Sequence, residues 1–335
     1  MRVDDTGDPG PYRAPVWLAG GHAQTMWAPL ARCPTVDYRR ETVRAPDGDL
    51  WRFDWTAGPA ADRAPVVVLF HGLEGSSRSH YAVALMAHAQ RRGWRGVVAH
   101  FRGCGGEPNL RPRAYHSGDH EEVAAMLVAV RERVPPGAAV HAAGVSLGGS
   151  ALINWLGRAG TAARVVVARA AAVSTPLDLV AAGAAIGQGA NRLYTRYFLR
   201  TLKPKALAMA RRHPGTIDIA RLERARSMWD FDDVVTAPLH GFAGTRDYWT
   251  RASSKPWLAR VALPTLVLNA RNDPFIPAAS LPGPDEVSAE VVLEQPEAGG
   301  HAGFVSGPFP GNHDWLARRL LAWFARDPSS PPQRV

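Results

Sequence analysis

The sequence feature that most constrains the fold is the pentapeptide GVSLG at Gly144–Gly148, together with the residues on either side of it. Residues 140–143 before it predict a buried strand, and residues 149–156 after it predict a helix. A serine at so tight a turn from strand to helix takes a strained backbone conformation, which only small neighbours tolerate. Because open α/β sheets bind ligands at the carboxyl ends of their strands, the pattern predicts that Ser146 is accessible at that edge.

Strands and helices alternate along most of the chain. The run Val66–Phe70 is short, apolar and rich in β-branched residues, which is typical of a strand buried on both faces of a parallel sheet. A hairpin is predicted at residues 41–55, ahead of this strand. Further strands are predicted at residues 96–101, 164–173, 264–269 and 290–294, and helices at 81–92, 119–134 and 313–325. This alternation predicts an α/β fold with a mostly parallel sheet and helices on both faces.

One long stretch interrupts the alternation. Residues 176–250 contain no convincing strand, and a segment of this length is too long for a simple connection in a compact domain. Helical segments are predicted within it around Leu179–Ile186, Ala190–Leu202 and Arg221–Met228. We expect a helical cap inserted in a single α/β domain that spans residues 1–335, with residues 1–40 as an arm and residues 328–335 as a frayed tail.

Ser146 needs a general base, and that base needs an acid to orient it. In folds of this kind the order along the chain is serine, acid, histidine. Asp273 follows the predicted strand at 264–269, and His301 follows the strand at 290–294. The competing residues lie in or near the insertion or at the start of the last helix: Asp232, Asp233, Asp247 and His313. The sequence therefore predicts Ser146, Asp273 and His301 as catalytic residues.

Two backbone N–H groups are candidates for an oxyanion hole. Leu147 follows the serine at a helix N-terminus, and its N–H points at developing negative charge. Leu73 lies in the loop after the strand Val66–Phe70, where Gly72 lets the backbone approach a substrate. We expect His71 to hold this loop by hydrogen bonds, and Cys104 to be a turn residue because no spare histidine is placed to activate it.

These motifs together resemble the YheT-like family of α/β hydrolases, also called the AB hydrolase 4 family of predicted esterases. The similarity runs from about His22 to Trp323. It is carried by HAQTMW at 22–27, HGLEGS at 71–76, FRGCGGEP at 101–108, YHSG at 115–118, GVSLGG at 144–149 and GGHAGF at 299–304. The resemblance implies the α/β-hydrolase fold and an esterase activity. Position by position, it also implies a triad of Ser146, Asp273 and His301.

Composition excludes several other classes of function. The 39 lysines and arginines outnumber the 30 aspartates and glutamates, giving a formal net charge of +9, but only three are lysines and the arginines are spread along the chain. A nucleic-acid site would cluster them with stacking aromatics, so no nucleic-acid partner is predicted. The glycines at 103, 105 and 106 follow a predicted strand but lack the third glycine of a dinucleotide-binding loop, so we predict no cofactor. No His, Cys, Asp or Glu spacing typical of a metal site occurs, so we predict no metal.

The location and assembly of the protein are predicted from what the sequence lacks. No apolar run approaches the length of a membrane-spanning helix, and the first residues contain no apolar core of a secretory signal. Two cysteines, Cys33 and Cys104, cannot form a disulfide scaffold. We therefore expect a cytoplasmic protein with no integral membrane segment, either a monomer or a weak oligomer.

The predicted function is hydrolysis of carboxylic esters with short to medium acyl chains, through an acyl-enzyme on Ser146. The expected partner is a small-molecule ester. Two alternatives stay open: an alcohol O-acyltransferase or thioesterase that uses the same triad, and a catalytically inactive binding protein. Aromatic residues of the cap at helical spacing either line the acyl pocket or pack the cap onto the core: Tyr194, Tyr197 and Phe198.

Overall fold

The fold is built on a central β-sheet, seen in a computed structural model that describes residues 7–58 and 60–326. Within these residues the sheet has eight strands, in the order β1-β2-β4-β3-β5-β6-β7-β8. The strands are β1 (Tyr38–Arg44), β2 (Leu50–Thr56), β3 (Val66–Phe70), β4 (Arg95–His100), β5 (Val140–Val145), β6 (Arg169–Val173), β7 (Thr265–Leu268) and β8 (Val291–Glu294). β2 pairs antiparallel with β1 and with β4, so it is the one strand of these eight that runs against the others, and β4, β3, β5, β6, β7 and β8 pair in parallel.

Helices cover both faces of the sheet and explain why the central strand β3 is apolar throughout. In β3 the side chains of Val66, Val68 and Phe70 belong to one core, whereas Val67 and Leu69 belong to the other. The first core is covered by α3 (His120–Arg131) and α4 (Leu147–Ala159), and the second by α2 (His80–Arg91) and α11 (Asp314–Phe324). Since both faces of β3 are buried, its sequence shows no polar alternation.

Between β6 and β7 the chain forms helices instead of continuing the alternation. We call residues 176–252 the helical insertion. Its helices are α5 (Leu179–Ile186), α6 (Arg192–Arg212), α7 (Ile219–Arg224), α8 (Met228–Phe231), α9 (Ala237–Leu239) and α10 (Thr245–Ala252), with a π-helical turn at Asp232–Thr236. The insertion has its own apolar cluster, which includes Leu199, Leu202 and Met209 of α6.

Three elements differ from what the sequence predicts. The N-terminal arm contains a short helix, α1 (Gly21–Trp27). The strand predicted from residue 164 begins only at Arg169, because residues 160–165 form a 3₁₀ helix. α6 continues through Pro204 to Arg212, although proline disfavours a helix interior. Buried Ala206 and Met209 pack into the cluster of the insertion, which offsets that local cost. The frayed tail predicted at 328–335 lies outside the described residues.

Candidate active site

Ser146 lies at the turn between β5 and α4, and its backbone is strained. Its φ is 55° and its ψ is −123°, a combination that costs a non-glycine residue about 1–3 kcal/mol. The surroundings admit no larger residues: a Cβ on Gly148 would lie 2.4 Å from the carbonyl oxygen of Phe70, and one on Gly144 would lie 2.5 Å from that of Gly148. The glycines of the motif thus allow β3 and α4 to approach closely enough to force Ser146 into this conformation.

Ser146, His301 and Asp273 form a continuous chain of hydrogen bonds. The His301 Nε2 atom lies 2.9 Å from the Ser146 Oγ atom, and His301 Nδ1 lies 2.8 Å from Asp273 Oδ2. The other oxygen of Asp273 accepts a hydrogen bond of 2.8 Å from the Phe275 backbone N–H. The Asp273 side chain is fully buried and that of His301 almost so. The structure thus brings together the three residues that the sequence selects.

The loop that carries His301 is held by four side chains. The backbone N–H groups of residues 299, 300, 301 and 302 donate to Gln24 Oε1, Asn272 Oδ1, Thr25 Oγ1 and Ser174 Oγ, at 2.8, 3.0, 2.9 and 2.8 Å. Gln24 and Thr25 belong to α1, so the N-terminal arm docks directly on this loop. A Cβ on Gly300 would lie 2.8 Å from the carbonyl oxygen of Gly21. The small residues around His301 are therefore required by the close approach of the arm.

The loop after β3 presents one free N–H group to the site. Gly72 and Glu74 donate their N–H groups to the hydroxyls of Tyr81 and Tyr115, each at 2.9 Å, and Gly75 donates to the Gly72 carbonyl. Among the described residues, nothing accepts a hydrogen bond from the N–H of Leu73 or of Leu147. A Cβ on Gly72 would lie 3.1 Å from the Cβ of Ser146, so this loop runs against the serine.

Glu74 ties the same loop to the helical insertion. It has a φ of 56°, which is unfavourable for a residue with a side chain. Its carboxylate accepts hydrogen bonds from the Tyr115 hydroxyl at 3.0 Å and from Lys205 Nζ of α6 at 2.9 Å. The Leu73 side chain also packs against the apolar cluster of the insertion. The backbone next to the free N–H is therefore held from both the sheet and the insertion.

Other nearby nucleophiles and bases are unsuited to catalysis. Burial lowers the pKa of His71 to about 3 and that of His80 to about 3, so both are neutral imidazoles at ordinary pH. His71 binds the Gly72 carbonyl and accepts from the Phe101 N–H, as expected of a residue that holds its loop. Burial raises the pKa of the Cys104 thiol to about 12, so a thiolate does not form there.

A cavity of about 1100 Å³ reaches Ser146 and His301. Side chains of the helical insertion form a large part of its wall, including Tyr194, Tyr197, Phe198, Leu202, Phe231 and Trp249. Phe275 links this wall to the site, since its ring centroid lies 4.3 Å from that of His301 and 4.6 Å from that of Tyr194. A pocket that is apolar except at a few polar groups suits a substrate with an apolar chain.

No metal site accompanies these residues. Within residues 7–58 and 60–326, no group of three or more His, Cys, Asp and Glu side chains is arranged to hold a metal ion. The Ser146 hydroxyl is hydrogen-bonded to His301 Nε2, and the N–H groups of Leu73 and Leu147 have no acceptor among the described residues. This arrangement can activate a hydroxyl and bind an oxyanion with protein groups alone.

Comparison with known proteins identifies the family. Residues 65–308 match the family model described as the α/β-hydrolase fold. The chain is also 40% identical over 308 residues to YheT of Escherichia coli (strain K12), an esterase by inference, covering 90% of this chain and 89% of that one. The chain belongs to the YheT-like family of α/β hydrolases. The resemblance seen in the sequence motifs is thereby confirmed.

A second curated protein and a solved structure are also similar to this YheT-like hydrolase. It is 30% identical over 316 residues to phospholipase ABHD3 of Homo sapiens, covering 92% of this chain and 76% of that one. The crystal structure of the Pyrococcus furiosus esterase Pf2001 superposes with a TM-score of 0.55 at 14% identity, covering 86% of this chain and 90% of that one. The α/β fold predicted from the sequence is confirmed.

The sequence does not reveal the residues that support this hydrolase's candidate site. Gln24 and Thr25 lie in a motif that the family resemblance marks, yet nothing in that motif shows that it contacts the His301 loop. Tyr115 likewise lies in a marked motif, far from Glu74 in sequence.

Among the described residues, no helix has the length and hydropathy to cross a bilayer.

Proposed function

We propose that this YheT-like hydrolase cleaves carboxylic esters with Ser146 as the nucleophile. The observation that carries the proposal is the unbroken chain of hydrogen bonds from Ser146 through His301 to Asp273. In this mechanism His301 Nε2 takes the Ser146 proton as Oγ attacks the acyl carbonyl. The buried carboxylate of Asp273 holds the imidazole and stabilises its charged form.

The tetrahedral oxyanion is bound by the N–H groups of Leu73 and Leu147. Both lack another acceptor among the described residues, and Leu147 is at the N-terminus of α4, where the helix dipole favours negative charge. His301 then donates its proton to the leaving alcohol, and the acyl group stays on Ser146 Oγ. Water, deprotonated by His301, attacks the acyl-enzyme and releases the acid and the free serine.

We also propose that the helical insertion acts as a cap that sets the acyl-chain preference at short to medium length. Its aromatic side chains line the cavity that reaches Ser146. Such a wall excludes water and limits the length of the chain that fits, although an apolar wall discriminates only by about 1–3 kcal/mol per misfitting methylene. Two relatives are named as an esterase and a phospholipase, which agrees with this class of reaction.

Labelling by a fluorophosphonate tests the nucleophile. We expect stoichiometric labelling that mass spectrometry locates at Ser146, and hydrolysis of p-nitrophenyl butyrate by the same preparation. Ser146→Ala should abolish both, with turnover reduced by about 10⁵–10⁶-fold. Label on Cys104, or more than a few per cent of activity in pure Ser146→Ala protein, would refute the assignment. Label at Ser146 without turnover of any ester would refute the hydrolase and favour a binding protein.

A further inference from the structure

The mouth of the active-site cavity has a rim of exposed apolar side chains. Met26 of α1 and Leu193 and Tyr197 of α6 all line the cavity, yet they are 60%, 63% and 59% exposed. The two helices meet at the mouth, where the His22 ring stacks on that of Tyr194, with 6.0 Å between centroids, and binds its hydroxyl. Exposed apolar groups gathered around one opening mark a surface that contacts something other than water.

A stripe of positive charge runs beside this rim. Arg192, Arg196 and Arg200 recur at intervals of four on α6, so they lie on one side of the helix, and all three are exposed. They line a groove of about 610 Å³, together with Lys203 and Arg226. Among the described residues, no carboxylate pairs with any of the three α6 arginines.

The charged stripe and the apolar rim form one surface. Leu193 and Tyr197 each follow an arginine of the stripe in sequence, and the Arg200 guanidinium lies 5.8 Å from the centre of the Tyr197 ring. A helix with exposed apolar and aromatic side chains beside a row of arginines is typical of segments that lie in the interface of a membrane. We call Met26, Leu193, Tyr197 and the three α6 arginines the docking face.

We propose that the docking face binds the surface of an anionic lipid bilayer and turns the cavity mouth toward the acyl chains. The arginines match the phosphates of anionic headgroups, and Met26 and Leu193 enter the boundary between headgroups and chains. A second copy of this chain fits less well, because a symmetric contact would set the same arginines against each other. A nucleic acid would leave the exposed Met26 and Leu193 without an apolar partner.

Vesicle flotation of the full-length protein tests this proposal. We expect the protein to float with vesicles of phosphatidylcholine and phosphatidylglycerol in equal parts, and far less with phosphatidylcholine alone. Removing the three α6 charges by Arg192→Gln, Arg196→Gln and Arg200→Gln should weaken binding about a hundredfold at low salt, at about fivefold per charge. High salt should weaken the wild type in the same direction, because it screens exposed charges.

Matched variants show whether binding depends on the docking face itself or only on the net charge and the exposed apolar surface of the whole protein. A control that removes three exposed arginines elsewhere should keep nearly all binding: Arg39→Gln, Arg44→Gln and Arg63→Gln. Met26→Ser with Leu193→Ser should weaken binding about tenfold even at high salt, whereas Val165→Ser, which removes an exposed valine outside the face, should not.

The binding readout does not depend on the proposed ester chemistry, since Ser146→Ala should float like the wild type. Failure of the esterase assay and failure of docking are therefore distinguishable. Equal loss of binding in the two arginine triples, absence of flotation at low salt, or tighter binding to duplex DNA than to anionic vesicles would each overturn the proposal. The variant that lacks the three α6 arginines should hydrolyse a water-soluble acetate ester as fast as the wild type, which would confirm that its active site is intact.

Discussion

The carboxyl edge of the sheet and the helical insertion that faces it are built in opposite ways. In the described part of the chain, the five non-glycine residues with positive φ all lie in loops at that edge, and none lies in the insertion: Glu74, Ser146, Ser174, Ala302 and Phe304. Hydrogen bonds to individual backbone groups hold these loops. The insertion instead lines the cavity with apolar side chains, and its polar contacts with the edge are separate side-chain bonds, such as those from Lys205 to Glu74 and from Asn191 to the Pro274 carbonyl.

The difference assigns different tasks to the two regions. Strain at several neighbouring residues persists only where the surroundings over-determine the backbone, and it is useful where groups must be held in one geometry. Apolar walls tolerate change but discriminate weakly. We therefore expect substitutions at the edge to lower turnover of every ester alike. Substitutions in the insertion should change which ester is preferred.

The largest effect should come from the acid at the edge. Asp273→Asn keeps the size of the side chain but removes the charge that stabilises the imidazolium and fixes its tautomer, so kcat should fall about 10⁴-fold. The profile across acetate, butyrate and octanoate esters should keep its shape. Asp247→Asn, at a partly exposed carboxylate of the insertion that bonds to Arg251 and the Ala243 backbone N–H, is the control and should stay within about twofold of the wild type. Comparable losses in the two variants would remove the distinction between the regions.

A smaller loss should follow from undocking the arm. Thr25→Val keeps the shape of the side chain but deprives the His301 N–H of its acceptor, and an unsatisfied partly buried N–H costs about 1–3 kcal/mol. If the loop relaxes to find another partner, the imidazole moves, so kcat should fall at least about tenfold with little change in KM. Thr42→Val, on the exposed edge strand β1, is the matched control. A wild-type kcat in Thr25→Val would show that the arm is dispensable.

The ion pair between Lys205 of the insertion and Glu74 at the edge should have a still smaller effect on kcat. Lys205→Met removes the ion pair with Glu74 but keeps the length of the side chain, and a half-exposed pair is worth little by itself. Because Glu74 follows Leu73, we expect kcat to fall several-fold for all chain lengths. Lys203→Met is a close control, since Lys203 binds only backbone carbonyls of the insertion. Equal effects of the two substitutions would point to a general weakening of α6.

The sequence predicts the carboxyl edge of the sheet more completely than it predicts the helical insertion. Ser146, Asp273 and His301 each follow a strand whose apolar run is visible in the sequence, so parallel strand order alone brings them to one edge. The helices of the insertion are visible too, but the sequence predicts a helix only to Leu202, whereas α6 reaches Arg212. Long-range packing decides that point, and single-sequence patterns record only local preference.

The support of the site shows the same limit. Thr25 lies 276 positions from His301 in sequence, and the contact between them depends on how the arm crosses the finished domain. The start of β6 shows the same limit. Residues 164–173 read as one strand in the sequence, and no residue there signals that the chain up to 165 forms a 3₁₀ helix and that β6 begins only at Arg169. Motifs identify residues that react, because chemistry restricts their type. The residues that hold them are less restricted and are found only in the structure.

Chain-length preference tests the insertion directly, with effects smaller than those at the edge. Phe198→Ala and Tyr197→Ala enlarge or open the cavity wall, so kcat/KM should shift toward longer acyl esters by several-fold per step from butyrate to octanoate to palmitate. Trp229→Ala removes an exposed aromatic of the insertion that does not line the cavity, and it should leave the profile unchanged. A palmitate optimum in the wild type would contradict the proposed preference for short to medium chains.

The last effect is on stability and its dependence on pH and not on turnover, and it arises at a buried carboxyl of the insertion. Asp232 accepts hydrogen bonds from Thr236 Oγ1 at 2.6 Å and Trp249 Nε1 at 2.8 Å, and burial raises its pKa to about 6. A carboxyl whose pKa is higher in the folded state than in the unfolded state destabilises the fold once it is ionised. The penalty is absent below about pH 4, grows between pH 4 and 6, and reaches about 3 kcal/mol above pH 6.

Asp232→Asn removes this penalty while its amide keeps both partners, since the carbonyl oxygen accepts from Trp249 and the amide group donates to Thr236. We expect the variant to unfold at a higher urea concentration than the wild type at pH 8, and at about the same concentration at pH 4. Asp233→Asn is the control: hydrogen bonds from Thr245 and Arg221 lower the pKa of that partly exposed aspartate, so its loss should destabilise slightly at pH 8. A stability gap between wild type and Asp232→Asn that stays constant from pH 4 to 8 would show that packing, and not ionisation, governs this part of the insertion.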